Sequence, residues 1–364
     1  MDATFTRRGF LPEADPATHF PFGSEFAQLD ELGRNIPSLL QDGSFRTYAR
    51  ELRIPAWPDG PVSPVQLPYL RLYYVRLGFL TSAFINQVPL PPESTLPKNI
   101  AVPFCNACKL LNRPPILSYD GYALFNWKRI RPDGPIALGN IDTIQNFVHM
   151  YDEHWFILVH VEIEAIAATI LSAIERLKPF LSAGMPGAEI DALIAEIAAA
   201  AWKQVAVLRR IPEKMDPHLY FKTFRPYIRF FENVVYEGVE TAPMSYRGET
   251  GAQSSILPML VAFLKIPHKN SMLMNHLADM RRFMPADHRA VLDEVEALPP
   301  VKPLAGKEAF NDLLEAIAAF REVHFGWADL YIHRNVQDPR GTGGTPYREW
   351  LQQLIDETRE HRIA

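Results

Sequence analysis

Residues 141 to 182 contain almost no proline or glycine, and from Trp155 to Leu181 the chain is apolar almost all the way round a helix. A surface helix keeps one polar face, so a helix without one has to be enclosed by other elements. The rest of the chain must therefore build a core around this segment. Charged residues interrupt every stretch of about 18 residues, so the pattern reads as a core helix and no membrane span is expected.

The flanking sequence supplies the wrapping. Helical spacing of apolar residues covers 187 to 210, where Ile190, Leu193, Ile194 and Ile197 share a face. Further helix-like runs lie at 68–87, 253–266, 270–283, 286–297, 307–333 and 346–361. The 32 prolines fall unevenly, and many lie before residue 140 in breakers such as PAWPDGPVSPVQLP and VPLPPESTLP. Strand signals are few; the clearest is ILSYDGYALFNWKRI at 116–130, interrupted by Asp120-Gly121. The expected fold is mainly α, with a small mixed α/β N-terminal domain over 1–140 and a large all-helical domain over 141–364.

Composition narrows the function. Of the 364 residues, 48% are hydrophobic and 22% charged, as in an ordinary globular protein. A net charge of −5 with no basic block longer than two residues argues against a nucleic-acid surface. Two cysteines make no disulfide scaffold, and no secretory signal opens the chain, so the reducing cytoplasm is the expected compartment. No G-x-S-x-G elbow, Walker A loop or H-E-x-x-H motif occurs. None of the 11 histidines has a glutamate three residues before it, which removes helical di-iron sites. Cys105 and Cys108 form a C-x-x-C without a second pair for zinc and without the following histidine of covalent haem attachment.

Two histidines stand out. In 307–333, Phe310, Leu314, Ile317, His324, Ala328 and Tyr331 fall on one helix face, so one imidazole points where the core should be. His160 occupies a similar place in EHWFILVHVEIEAIAATIL, with Phe156, Ile163, Glu164 and Ala167 as helical neighbours. Each alone reads most simply as a core histidine bonded to a carbonyl. Together they also suit a haem pocket, since iron takes a neutral imidazole in apolar surroundings. Arg321, a turn before His324, is placed to meet a haem propionate.

Five blocks in order carry a family resemblance. They are Pro114-Pro115-Ile116-Leu117-Ser118-Tyr119 with Asn126-Trp127-Lys128; VVYEGV (234–239) leading to Gly251-Ala252-Gln253-Ser254-Ser255; and Asp279-Met280-Arg281-Arg282-Phe283-Met284-Pro285 with His288-Arg289. The fourth is Arg321-Glu322-Val323-His324 and the fifth Gly341-Thr342-Gly343-Gly344-Thr345. From about residue 95 onward the chain resembles the indoleamine 2,3-dioxygenase family of haem enzymes.

The resemblance implies haem b with its iron on His324 and Arg321 as a propionate partner, with Gly251 against the cofactor. It implies Phe156, Tyr119, Tyr122 and Tyr220 around the substrate, Arg225 on a substrate carboxylate, and Thr342 in a glycine-rich loop that closes over it. His160 stands where animal indoleamine dioxygenases carry a serine and the related tryptophan 2,3-dioxygenases a histidine, and is expected to hydrogen-bond the indole N–H or the oxygen. Tyr122 stands for a smaller residue, Tyr220 for a phenylalanine, and Glu249-Thr250-Gly251-Ala252 departs from a Gly/Ser/Ala-rich version. The implied reaction inserts both atoms of O2 across the indole C2–C3 bond, taking L-tryptophan to N-formylkynurenine in tryptophan catabolism. Free or otherwise substituted indole is the alternative substrate, and a haem-binding or sensing protein of the same fold the alternative role. The expected partners are O2 and an indole-type small molecule, with no nucleic acid or membrane, in a monomer or small homo-oligomer.

Overall fold

The computed structural model describes residues 2–269, 272–335 and 347–364. The chain begins with α1 (Ala3–Arg8), α2 (Gln28–Gln41), α3 (Phe45–Glu51), α4 (Leu67–Ile85), β1 (Thr95–Leu96) and α5 (Lys98–Leu110). Two short strands, β2 (Trp127–Arg129) and β3 (Ile141–Thr143), lead to α6 (Tyr151–Ala183) and α7 (Ala188–Leu208). Then come α8 (Pro217–Lys222), β4 (Phe231–Tyr236), β5 (Met244–Tyr246), α9 (Ile256–Leu264), α10 (Met272–Arg281), α11 (Ala286–Glu296), α12 (Lys307–Tyr331) and α13 (Tyr347–Glu360). The fold is mainly α, as the apolar periodicity implies.

The strand expectation at 116–130 holds only at its end. Residues 120–124 form a π-helical turn, and the strand is confined to Trp127–Arg129. Tyr74 explains the turn: its hydroxyl bonds Ile116 and Ser118 backbone on one side, and its ring sits where any side chain at Gly121 would go. β2 pairs antiparallel with β3, whereas β1 pairs parallel with β4, matching Thr95 to Val235 and Leu96 to Tyr236. The strand pairing thus joins the proline-rich first part of the chain to a segment that follows the long helices.

The core explains why α6 is apolar all round. Ile157, Leu158 and Val161 point into one cluster, built on α4, α5 and the π-turn with Tyr74, Phe79, Phe104 and Phe147. Trp155, Val159 and Ile163 point into a second, built on α7, α9, α11 and α12 with Ile194, Phe263, Leu292 and Phe310. Among the described residues, α6 is the one helix long and apolar enough to cross a membrane by length and composition, and it lies between these two clusters.

Helix α7 packs along both α6 and α12. Its run of Ala198 to Ala201 keeps its surface low, so both neighbours approach closely. Side-chain amides and indoles then fix the spacing. Gln204 donates to the Ile163 carbonyl of α6 at 2.9 Å, and Trp327 of α12 donates to the Leu208 carbonyl of α7 at 3.1 Å. Trp202 reaches Asp312 of α12 at 3.0 Å.

On its other side α6 takes the N-terminal helix. Gly9, with φ of +65°, caps α1 and lies so close to α6 that a Cβ there would stand 2.1 Å from the Glu164 carbonyl oxygen. We expect Gly9→Ala to lower the unfolding free energy by about 2–5 kcal/mol, since strain at a glycine conformation and steric overpacking add. Urea denaturation checks this, and an unchanged midpoint contradicts the packing described.

Candidate functional site

The two histidines of the sequence pattern lie near enough for one to influence the other. His324, on α12, is exposed, yet the protein around it holds its pKa down to about 4, with His160 as a second, smaller cause. Accessible surface inside surrounding protein means a cavity beside His324, and the effect of His160 on it brings the second imidazole near. At neutral pH His324 is therefore uncharged, with a ring-nitrogen lone pair to give a metal.

His160, on α6, is half-buried, and burial lowers its pKa too. Its Nδ1 lies 2.7 Å from the Phe156 carbonyl oxygen. A carbonyl only accepts, so Nδ1 carries the proton and donates. That fixes the tautomer: Nε2 is left as an acceptor. Phe156, a turn earlier on the same face, is also half-buried, and its ring lies 4.6 Å from the His160 ring.

The tyrosines of the expected pocket expose almost nothing. Tyr119 meets His160 edge-on at 5.9 Å, Tyr122 lies 6.2 Å from Phe156, and Tyr220 lies 5.7 Å from Phe156. They back the two open residues and do not themselves form the open surface. The Tyr122 hydroxyl donates to Glu153 at 3.3 Å, and Glu153 also takes the Phe147 and Val148 backbone N–H groups ahead of α6.

Sequence reasoning missed the polar layer behind Tyr119. Glu164, one turn beyond His160, is fully buried, and its Oε1 accepts from the Tyr119 hydroxyl at 2.8 Å and from Ser254 at 2.7 Å. Burial pushes its pKa up to about 7, although both bonds act to lower it. Gln253 accepts from the Tyr119 backbone N–H at 2.9 Å and donates to the Gly248 carbonyl at 2.9 Å, clamping loop 248–253 to the π-turn. A glutamate on the apolar face of α6 was the available signal; its partners lie too far along the chain to be read from it.

Arg225 is buried in a 3-10 turn (Arg225–Ile228), with its guanidinium 5.1 Å from the Phe221 ring. Arg321 is buried with its pKa lowered to about 10 by that burial. Its Nη1 donates to the Leu354 carbonyl of α13 at 2.6 Å and also to Thr358, so part of its capacity ties α12 to α13. Its Nε is buried without a partner among the described residues. Thr342 and its glycine-rich tract lie outside the described residues.

A planar iron macrocycle fits these residues. Gly251 and, on α12, Gly326 each border space in which an added Cβ would meet nothing within 4 Å. Among the described residues no cluster of three His, Cys, Asp or Glu side chains could hold a bare ion, so a metal on His324 would have to bring its other ligands with it. Cys105 and Cys108 are free, and burial raises both thiols, to about 12 for Cys105, which removes them as ready ligands. A surface cleft of about 680 Å³ lined by Arg7, Arg8, Arg71 and Phe125 shares none of these side chains.

Comparison with known proteins identifies the family. A family model described as indoleamine 2,3-dioxygenase matches residues 3–339. Indoleamine 2,3-dioxygenase 1 of Rattus norvegicus is 29% identical over 92% of this chain and 88% of its own. Indoleamine 2,3-dioxygenase of Saccharomyces cerevisiae is 26% identical over 96% and 90%, and a 6-hydroxytryptophan 2,3-dioxygenase of Fusarium equiseti 26% over 89% and 82%.

We expect His324→Ala protein to retain little haem, or to show a displaced Soret band, while folding normally by circular dichroism. Haem content and spectrum like those of the wild type would remove His324 as the ligand.

Proposed function

Since this chain belongs to the indoleamine 2,3-dioxygenase family, we propose that it oxidises L-tryptophan, inserting both atoms of O2 across the indole C2–C3 bond to give N-formylkynurenine. The observation that carries this is the pair of neutral, partly open histidines on α6 and α12 lying near each other. His324 would hold haem b, with the Arg321 Nε turned to a propionate and Gly251 against the ring. When bound, the haem supplies the activation of O2.

The protein's own groups orient the substrate. An indole entering the cavity meets the Phe156 ring, with Tyr220 and Phe224 packed behind it. The ring offers an apolar face on which an indole can stack. The His160 Nε2, an acceptor by its tautomer, takes the indole N–H and so fixes which edge faces the iron. No proton has to leave for this, and the lowered pKa keeps the imidazole neutral and able to accept.

Arg225 supplies the other anchor. A planar guanidinium pairs bidentately with a carboxylate, and burial strengthens the pair by excluding water. An indole without a carboxylate gains nothing from it, which favours the amino acid over free indole. Glu164 keeps Tyr119 oriented and hence the side of the pocket next to His160.

The direct test is to reduce the haem-loaded protein without oxygen, admit O2, and weigh the products formed from tryptophan and indole side by side. N-formylkynurenine from tryptophan supports the proposal; turnover of indole with tryptophan untouched overturns it. In the same assay Arg225→Leu should raise KM for tryptophan by about 30-fold or more, because a buried charged pair is worth on the order of 2–5 kcal/mol.

A further inference from the structure

We propose that Glu249 is a specificity-determining residue that binds the α-ammonium of the substrate, so that Glu249 and Arg225 together select a zwitterionic amino acid. This rests on reading Arg225 as the partner of the substrate carboxylate. The residue departs from the Gly/Ser/Ala-rich run that the family resemblance leads one to expect here.

Glu249 is 3% exposed, and among the described residues burial is the one influence on its carboxyl, with no hydrogen bond acting to lower its pKa. Buried acids are normally bonded or paired. Burial alone pushes its pKa up to about 8, and no neighbouring cation offsets that. Arg225, which could have done so, does not act on it. Among the described residues, Glu249 is therefore an acid without a cation to meet it.

Its loop adjoins the wall behind the two open residues. When ionised, Glu249 raises the pKa of both Tyr119 and Tyr122, the residues that back His160 and Phe156. Two residues on, Gly251 borders open space. The loop is held rigidly. The Glu249 N–H donates to the Ile228 carbonyl at 3.1 Å, and Ile228 ends the turn that Arg225 begins. A Cβ at Gly248 would stand 2.4 Å from that same carbonyl, so the two backbones are in contact. The acid and the arginine are thus fixed in one frame without pairing with each other. An α-amino acid carries its carboxylate and ammonium on one carbon, and it can meet both.

The ammonium is hydrogen-bonded and charge-compensated only when Glu249 ionises, and the ion pair then forms away from water, where it counts most. A ligand without the amine leaves the acid as it was.

The experiment measures dissociation constants of the haem-loaded protein for L-tryptophan and for indole-3-propionate, which has the same ring and carboxylate but no amine, in wild type and Glu249→Gln. The glutamine keeps the shape and removes the charge. Wild type should bind tryptophan about tenfold or more tighter, as sites built for a polar group reject its absence, and Glu249→Gln should bring the ratio near one. Equal binding of the two ligands by wild type, or a preference that survives in Glu249→Gln, overturns the role of Glu249 while leaving the carboxylate site intact. Failure of wild type to bind either ligand overturns the indole-site reading itself, and this proposal with it.

Discussion

Everything at this site depends on α6 and α12 being held on a third helix, α7. Two long apolar helices left to themselves would close on each other and bury their histidines. Here α7 lies against both, its alanines let each approach, and the bonds from Gln204 to Ile163 and from Trp327 to Leu208 fix each one along its length. Trp327 stands three residues from His324, so the bond that docks α12 also sets where the imidazole points. The cavity beside His324 follows from this spacing. It explains how a side chain can be open and yet lose its positive charge to burial.

The polar groups around that space follow from the same enclosure. Glu153, Glu164 and Glu249 are all buried, and burial raises the pKa of each. The first two are matched by fixed donors: backbone N–H groups for Glu153, Tyr119 and Ser254 for Glu164. They orient the aromatic wall. Glu249 has no such match among the described residues, and on our proposal a ligand cation supplies one. Burying an unmatched acid has an energetic cost that a structural role alone does not repay, which is why the contrast among the three is informative.

Much of the helical frame was legible in the sequence because apolar periodicity is local. The run around Trp155–Leu181 implied an enclosed helix, and the face through Phe310, Leu314, Ile317 and His324 implied an inward imidazole. What stayed hidden depends on contacts across the chain. The π-turn at 120–124 is shaped by Tyr74, 46 residues from Asp120. The clamp of Gln253 on Tyr119 spans 134 residues. The same limit applies to Tyr122 and Tyr220, which packing places behind Phe156 rather than on the open surface, and to Arg321, whose bond to α13 no helix-face argument reveals. Resemblance supplied an expectation that periodicity could not, namely that the two histidines belong to one pocket.

The central claim is that a single histidine, His324, holds the iron while His160 leaves the opposite face open. The ferrous protein examined by absorption and resonance Raman spectroscopy without substrate tests this most directly. The account requires five-coordinate haem with one imidazole, in wild type and in His160→Ser alike. A six-coordinate bis-histidine spectrum in wild type that disappears in His160→Ser would contradict it, because O2 would then have no place to bind.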